Sequence, residues 1–139
     1  TKGGISMKKL RVIKVEPSKP PRIVEVPPDL DSLQHEVGGY IQVIYPFSDP
    51  VGIICNEEAK INGLPLNRAL FDESGVIYDI IAGDFLIVGL SGESFSGLND
   101  NLTAKYLKRF ERPEMFMNIG GHIIALRNIL PDDEQSDKS

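Results

Sequence analysis

Short apolar runs separated by turn-forming residues recur along the chain, and most have the length of β-strands rather than of helices. Leu10-Arg11-Val12-Ile13-Lys14-Val15 mixes charged with β-branched residues, the pattern of a strand buried mainly on one face. Glu16-Pro17-Ser18-Lys19-Pro20-Pro21 stops it, because successive prolines remove backbone donors and fix an extended turn. Arg22-Ile23-Val24-Glu25-Val26 is then the returning arm of a hairpin. After Pro27-Pro28, Asp29 and Asp31 are good helix N-caps, and Gln34 stands in capping-box position to Asp31. Leu30, Leu33 and Val37 fall on one face of a short helix closed by Gly38-Gly39.

Tyr40-Ile41-Gln42-Val43-Ile44-Tyr45 and Val51-Gly52-Ile53-Ile54-Cys55 read as a third and a fourth strand. Val76-Ile77-Tyr78-Asp79-Ile80-Ile81 fits a strand or a docked loop equally well. Phe85-Leu86-Ile87-Val88-Gly89-Leu90 is almost continuously apolar and predicts a central strand buried on both faces. Residues 91–97 form a Gly/Ser-rich loop, after which Asn99 or Asp100 caps a helix running through about Arg112. Leu102, Tyr106, Leu107 and Phe110 supply its apolar face. The segment that opens on Met115 and closes on Leu126 is apolar without a clean period, and suits a strand, a short helix or a surface covered by a partner. The pattern predicts an α+β fold, a mainly antiparallel sheet with two packed helices. It divides the chain into a flexible N-terminus (1–8), a core domain (9–112), an apolar C-terminal extension (113–130) and a disordered acidic tail (131–139). Residues 1–6, ahead of Met7, are read as an upstream start or an appended remnant and left out of the fold.

Charge narrows the function classes. Fifteen basic against 20 acidic residues give a net charge of −5, so the molecule as a whole repels phosphate backbones and anionic lipid. A nucleic-acid role needs a local basic patch, and the one stripe present (Lys105, Lys108, Arg109, Arg112) is read as the solvated face of a helix whose cations suit its C-terminal end. One cysteine, Cys55, allows no internal disulfide. With no signal peptide and no apolar run of membrane-spanning length, the expectation is a soluble cytoplasmic protein. Two histidines, His35 and His122, with a single cysteine argue against a His/Cys zinc site; no phosphate-binding loop or dinucleotide fingerprint is present, and no cofactor is implied.

Candidate chemistry gathers in residues 56–70, read as one loop between two apolar strands. Arg68 offers a planar fork of donors for carboxylate or phosphate, and Asn67 adds a donor and an acceptor. The bland alternative is that Arg68 pairs with Glu57, Glu58, Asp72 or Asp79 and pins the loop. Glu57 and Glu58, just past a strand, could act as bases; capping by Asn56 with acidic residues in the following turn explains the same letters more cheaply. Cys55 reads as a buried, inert thiol.

Val37-Gly38-Gly39-Tyr40-Ile41-Gln42-Val43, Asn56-Glu57-Glu58-Ala59-Lys60, Gly63-Leu64-Pro65-Leu66-Asn67-Arg68-Ala69-Leu70 and Tyr78-Asp79-Ile80-Ile81-Ala82-Gly83-Asp84-Phe85 occur in that order. This series resembles an uncharacterised family, domain of unknown function 3846, over about residues 10–110. The resemblance implies an accessory protein of Firmicutes and their plasmids, conjugative elements or phages, and carries over no catalytic residue. The expected function is a non-enzymatic binding module in which Tyr40, Asn56, Glu57, Glu58, Asn67, Arg68 and Asp79 form a pocket for a small polar ligand or a host protein. Arg68→Ala is then expected to abolish binding and spare stability. The alternatives are an interaction subunit or homo-oligomer joined through Met115 to Leu126, and a small enzyme using Glu57 or Glu58 as base with Arg68 clamping an anionic substrate.

Overall fold

The computed structural model describes residues 8–127. Strands β1 (Leu10–Val15) and β2 (Arg22–Val26) form the expected hairpin, followed by helix α1 (Leu30–Val37) and strands β3 (Ile41–Ile44) and β4 (Val51–Asn56). A second pair, β5 (Leu66–Phe71) and β6 (Ile77–Ala82), precedes β7 (Phe85–Ser91) and the short β8 (Ser94–Ser96). Helix α2 (Asp100–Arg109) leads to β9 (Glu114–Ile119) and β10 (His122–Arg127). The main sheet runs β2-β1-β7-β4-β3 with every neighbour antiparallel, and β8 folds back on β7. The fold is α+β.

Because side chains alternate across a strand, β7 feeds two cores. Phe85 and Ile87 join Ile13 and Val15 of β1, Val51 and Ile53 of β4, and Tyr106 and Phe110 from α2 and its end; Leu70 of β5 and Ile81 of β6 cap the same cluster. On the opposite face Leu86 and Val88 meet Val12, Val26 and Ile54, with Leu33 and Val37 of α1 laid over them. The sheet is therefore covered by α1 on one side and by α2 with the β5–β6 pair on the other. This explains why β7 and β4 are apolar along nearly their whole length.

Local chemistry sets the helix ends. Asp29 accepts from the Ser32 amide at 2.8 Å and caps α1, which Gly38 closes in the left-handed region at φ 80°. Leu33 and Val37 are buried, whereas Leu30, placed on the same face by its spacing, is exposed in the first turn. Asn99 caps α2 by accepting from the Leu102 amide at 2.8 Å. The helix ends at Arg109 rather than near Arg112. Pro113 does disfavour helix before it, but the chain turns earlier, where the Phe110 ring enters the core and its carbonyl is taken by another element.

Several sequence expectations change. Residues 56–70 are not one loop: only 57–65 connect the strands, and Asn67 and Arg68 lie within β5, paired to β6. The ambiguous segment at 76–81 resolves as strand β6 (Ile77–Ala82), and the Gly/Ser segment contains β8. The segment Met115 to Leu126 is a hairpin. The tail assigned to 131–139 and the N-terminal segment up to residue 7 lie outside the described residues.

Candidate functional site

Asn56 organises the connection after β4. It is buried; its Nδ2 donates to the Val37 carbonyl at the end of α1 (3.2 Å) and its Oδ1 accepts from the Glu58 amide (2.8 Å). The Glu57 amide donates to the Tyr40 carbonyl, extending the β3–β4 ladder by one rung. Tight turns follow, with the Asn62 amide donating to Glu58 O and the Leu64 amide to Ala59 O, and with Gly63 at φ 71°. Gly39 admits this clasp, since a Cβ there would sit 2.9 Å from Asn56 Nδ2. The polar letters of the loop are thus accounted for largely by its own hydrogen bonds.

Asn67 and Arg68 face inward. Asn67 Nδ2 donates to the carbonyls of Val15 (3.0 Å) and Gly83 (2.8 Å), tying β5 to β1 and to the β6–β7 turn. Arg68, at 0% exposure, donates from Nε and Nη2 to the Phe110 carbonyl (3.3 and 3.0 Å), from Nη2 to the Lys19 carbonyl (2.7 Å) and from Nη1 to Asn67 Oδ1 (2.8 Å). One guanidinium thereby joins the β1–β2 turn, β5 and the end of α2. Beside it Glu114 is also buried, its Oε1 accepting from the Ala69 amide at 2.9 Å. Such burial is incompatible with the expectation that Arg68→Ala spares stability.

Five of the seven candidate residues gather around the 57–65 loop, Tyr40, Glu57, Glu58 and Asp79 towards the surface and Asn56 buried beneath them. Gly39, Tyr40, Asn56, Glu58 and Asn62 line one shallow recess of about 230 Å³. Asn56, Glu57, Lys60 and Asp79 line a neighbouring one of about 120 Å³, over Cys55. Lys60 Nζ meets Asp79 Oδ1 at 2.8 Å across it. Asn67 and Arg68 lie in the interior instead. Glu57 and Glu58 are both exposed, so neither is the carboxylate held in a closed cleft that the acid–base reading requires, and Arg68 has no solvent-facing surface with which to clamp a substrate. Burial, then the charge of Asp79, pushes the Cys55 thiol up to about 11 and keeps it protonated. Among the described residues no group of three or more His, Cys, Asp or Glu is placed to hold a metal ion.

The basic stripe on α2 is partly engaged. Lys105 Nζ and Tyr106 Oη both donate to Asp49 Oδ2, at 2.6 and 2.8 Å. These bonds hold the Asp49 carboxyl below its ordinary range, Lys105 contributing most; burial and then Asp49 hold the Tyr106 hydroxyl protonated. Arg109 lies over the rings of Phe47 and Phe110. Lys108, Arg109 and Arg112 line an open groove of about 720 Å³ against Phe71, with Asp72 and Glu111 offsetting their charge.

The β9–β10 hairpin was not predicted as such, although Gly120-Gly121 between apolar runs signals it: both glycines take positive φ (59° and 86°), as a two-residue hairpin turn of the primed kind requires. Its register pairs Met115 with Leu126, Met117 with Ile124 and Ile119 with His122 on one face, and Phe116 with Ala125 and Asn118 with Ile123 on the other. Glu114, Phe116 and Ala125 are buried or half-buried and β9 leans on β5. On the first face Met115, Met117, Ile119, Ile124 and Leu126 are between 40% and 58% exposed.

The fold and its surfaces define a small sheet-centred α+β domain extended by an apolar hairpin. The chain belongs to the family described as Domain of unknown function (DUF3846), whose model matches residues 7–111 and stops short of that hairpin. No curated protein and no solved structure matches the chain. Among the described residues no helix is long and apolar enough to cross a membrane.

Proposed function

We propose that the chain is a non-enzymatic protein-binding module that presents the apolar face of β9–β10 to a polypeptide partner. The observation that carries this reading is the set of five large aliphatic side chains, aligned by the strand register and left in water. A two-stranded hairpin is marginal unless its apolar face is covered, and a contiguous exposed apolar strip marks an interaction surface. Two of the five are methionines, whose flexible side chains adapt to a partner's contour. The test is a photoreactive methionine analogue at positions 115 and 117, activated in cells that make the protein. Crosslinking to a polypeptide is expected; adducts with lipid or small molecules alone, or no adduct, would refute the reading.

A second reading, a binding site for a small polar ligand, is favoured by the Lys60–Asp79 pair across the recess beside Asn56. Tyr40, Asn56, Glu57, Glu58 and Asp79 would then contact the ligand while Asn67 and Arg68 hold the floor. Native mass spectrometry of freshly purified protein tests it: a retained small mass lost in Asp79→Ala supports it, and an apo mass from the producing cells removes it. An accessory role in a plasmid, conjugative element or phage, which the family resemblance implies, is compatible with either reading.

A further inference from the structure

Resting on the reading of the hairpin as a protein-binding face, we propose that its occupant is a second copy of the same chain, packed face to face about a two-fold axis. The strip is self-complementary in the simplest sense. Met115, Met117, Ile119, Ile124 and Leu126 form two short rows on a pleated surface, and His122 is its only ionisable group. Two such surfaces stacked about 10 Å apart interdigitate their side chains as the sheets of a sandwich do. A two-fold axis brings each patch against its own copy, so no foreign strip of matching length has to be supplied.

Charge and area favour the same occupant. The molecule carries a net charge of −5, and two copies repel wherever acidic surfaces are apposed. This face carries no carboxylate among the described residues, because the strand alternation puts Glu114 on the opposite face with Phe116 and Asn118. From their exposures, the five side chains offer roughly 450 Å² per copy, which for two copies approaches the ~1,000 Å² at which specific interfaces begin.

The deciding experiment is sedimentation velocity of the full chain from about 1 to 100 μM, beside Met117→Lys, Ile119→Lys and, as a control on the distant loop, Ile61→Lys. All three replaced side chains are already exposed, and far-UV circular dichroism checks that each variant keeps its fold. The proposal expects a wild-type species of twice 15.4 kDa. A lysine at 117 or at 119 should raise the dissociation constant at least 30-fold, and the control should leave it unchanged. A dimer that survives both hairpin variants overturns the proposal, because its interface lies elsewhere. A wild-type monomer at 100 μM overturns it too. If the photoreactive probe at 117 then still captures another polypeptide, the protein-binding reading stands and only the identity of the partner fails; a monomer with no capture defeats both.

Discussion

Replacing Arg68 by alanine removes the donor that three separate elements share. The substitution strips two hydrogen bonds from the Phe110 carbonyl and one each from the Lys19 carbonyl and Asn67 Oδ1. A buried acceptor left without a donor costs about 1–3 kcal/mol, and the space vacated by a large buried side chain about 2–5 kcal/mol. Water entering the vacancy recovers part of this, which leaves an expected loss of about 5 kcal/mol, a large fraction of the 5–15 kcal/mol typical of a domain. Urea unfolding followed by circular dichroism measures it. Arg68→Met separates the contributions, since it fills much of the volume but donates nothing, and should lose about 3 kcal/mol. Arg68→Lys keeps the charge but replaces a planar fork by one ammonium, and should fall between methionine and wild type. An Arg68→Ala protein that unfolds within about 2 kcal/mol of wild type, at unchanged denaturant dependence, would show that these bonds do not hold the fold.

Other perturbations report on neighbouring contacts. Asn56→Ala releases the end of α1 from the 57–65 loop and should cost about 2–3 kcal/mol; Gly39→Ala, crowding the same amide, should cost about 1–2 kcal/mol, and the double variant less than the sum. Additive losses in denaturant titrations would mean that the two residues do not meet. Gly89→Ala places a Cβ 2.5 Å from the Gly97 carbonyl and should lose about 2–4 kcal/mol by pushing β8 off β7; an unchanged thermal midpoint would contradict that packing. Because the Cys55 pKa is raised from 9.0 to about 11 in the fold, the unfolded chain gives up that proton first as pH rises. Stability that is complete below pH 9.0 should decline towards pH 11, with a slope of at most ~1.4 kcal/mol per pH unit from this group. Cys55→Ala should show a shallower decline, and equal slopes for the two proteins would refute the assignment.

Those parts of the fold whose hydrophobic pattern has one cause were legible. The uninterrupted apolar run of β7 announced a strand covered on both sides, and Pro27-Pro28, Asp29 and Gly38 bracketed α1 from sequence alone. The pattern failed where polar residues are buried. Asn67 and Arg68 made β5 look like loop, since a strand lying between the main core and the end of α2 normally shows apolar side chains on both faces. Their partners are main-chain carbonyls from residues as distant as Val15 and Phe110, which no local pattern reveals. The same cause displaces the candidate site: side chains with rich hydrogen-bonding capacity suggest a ligand-facing surface, yet Asn67 and Arg68 face the fold. The hairpin was obscured in the opposite way, because it is apolar where a hairpin at the surface alternates.

The central position of β7 bears on how the chain is made. Its partners β1 and β4 lie far upstream, with Ile13 opposite Ile87 and Val51 opposite Gly89, so the sheet cannot close until residues 85–91 have left the ribosome. Until then the β1–β2 and β3–β4 pairs each present an apolar strand with an unpaired edge. Sheets joined through such distant pairings fold on the millisecond-to-second scale, and synthesis advances at only about 5–20 residues per second. The nascent chain therefore spends seconds with two open edges awaiting the same strand. In the cell, yield should depend on how quickly the β7 segment is translated as well as on the stability of the finished domain.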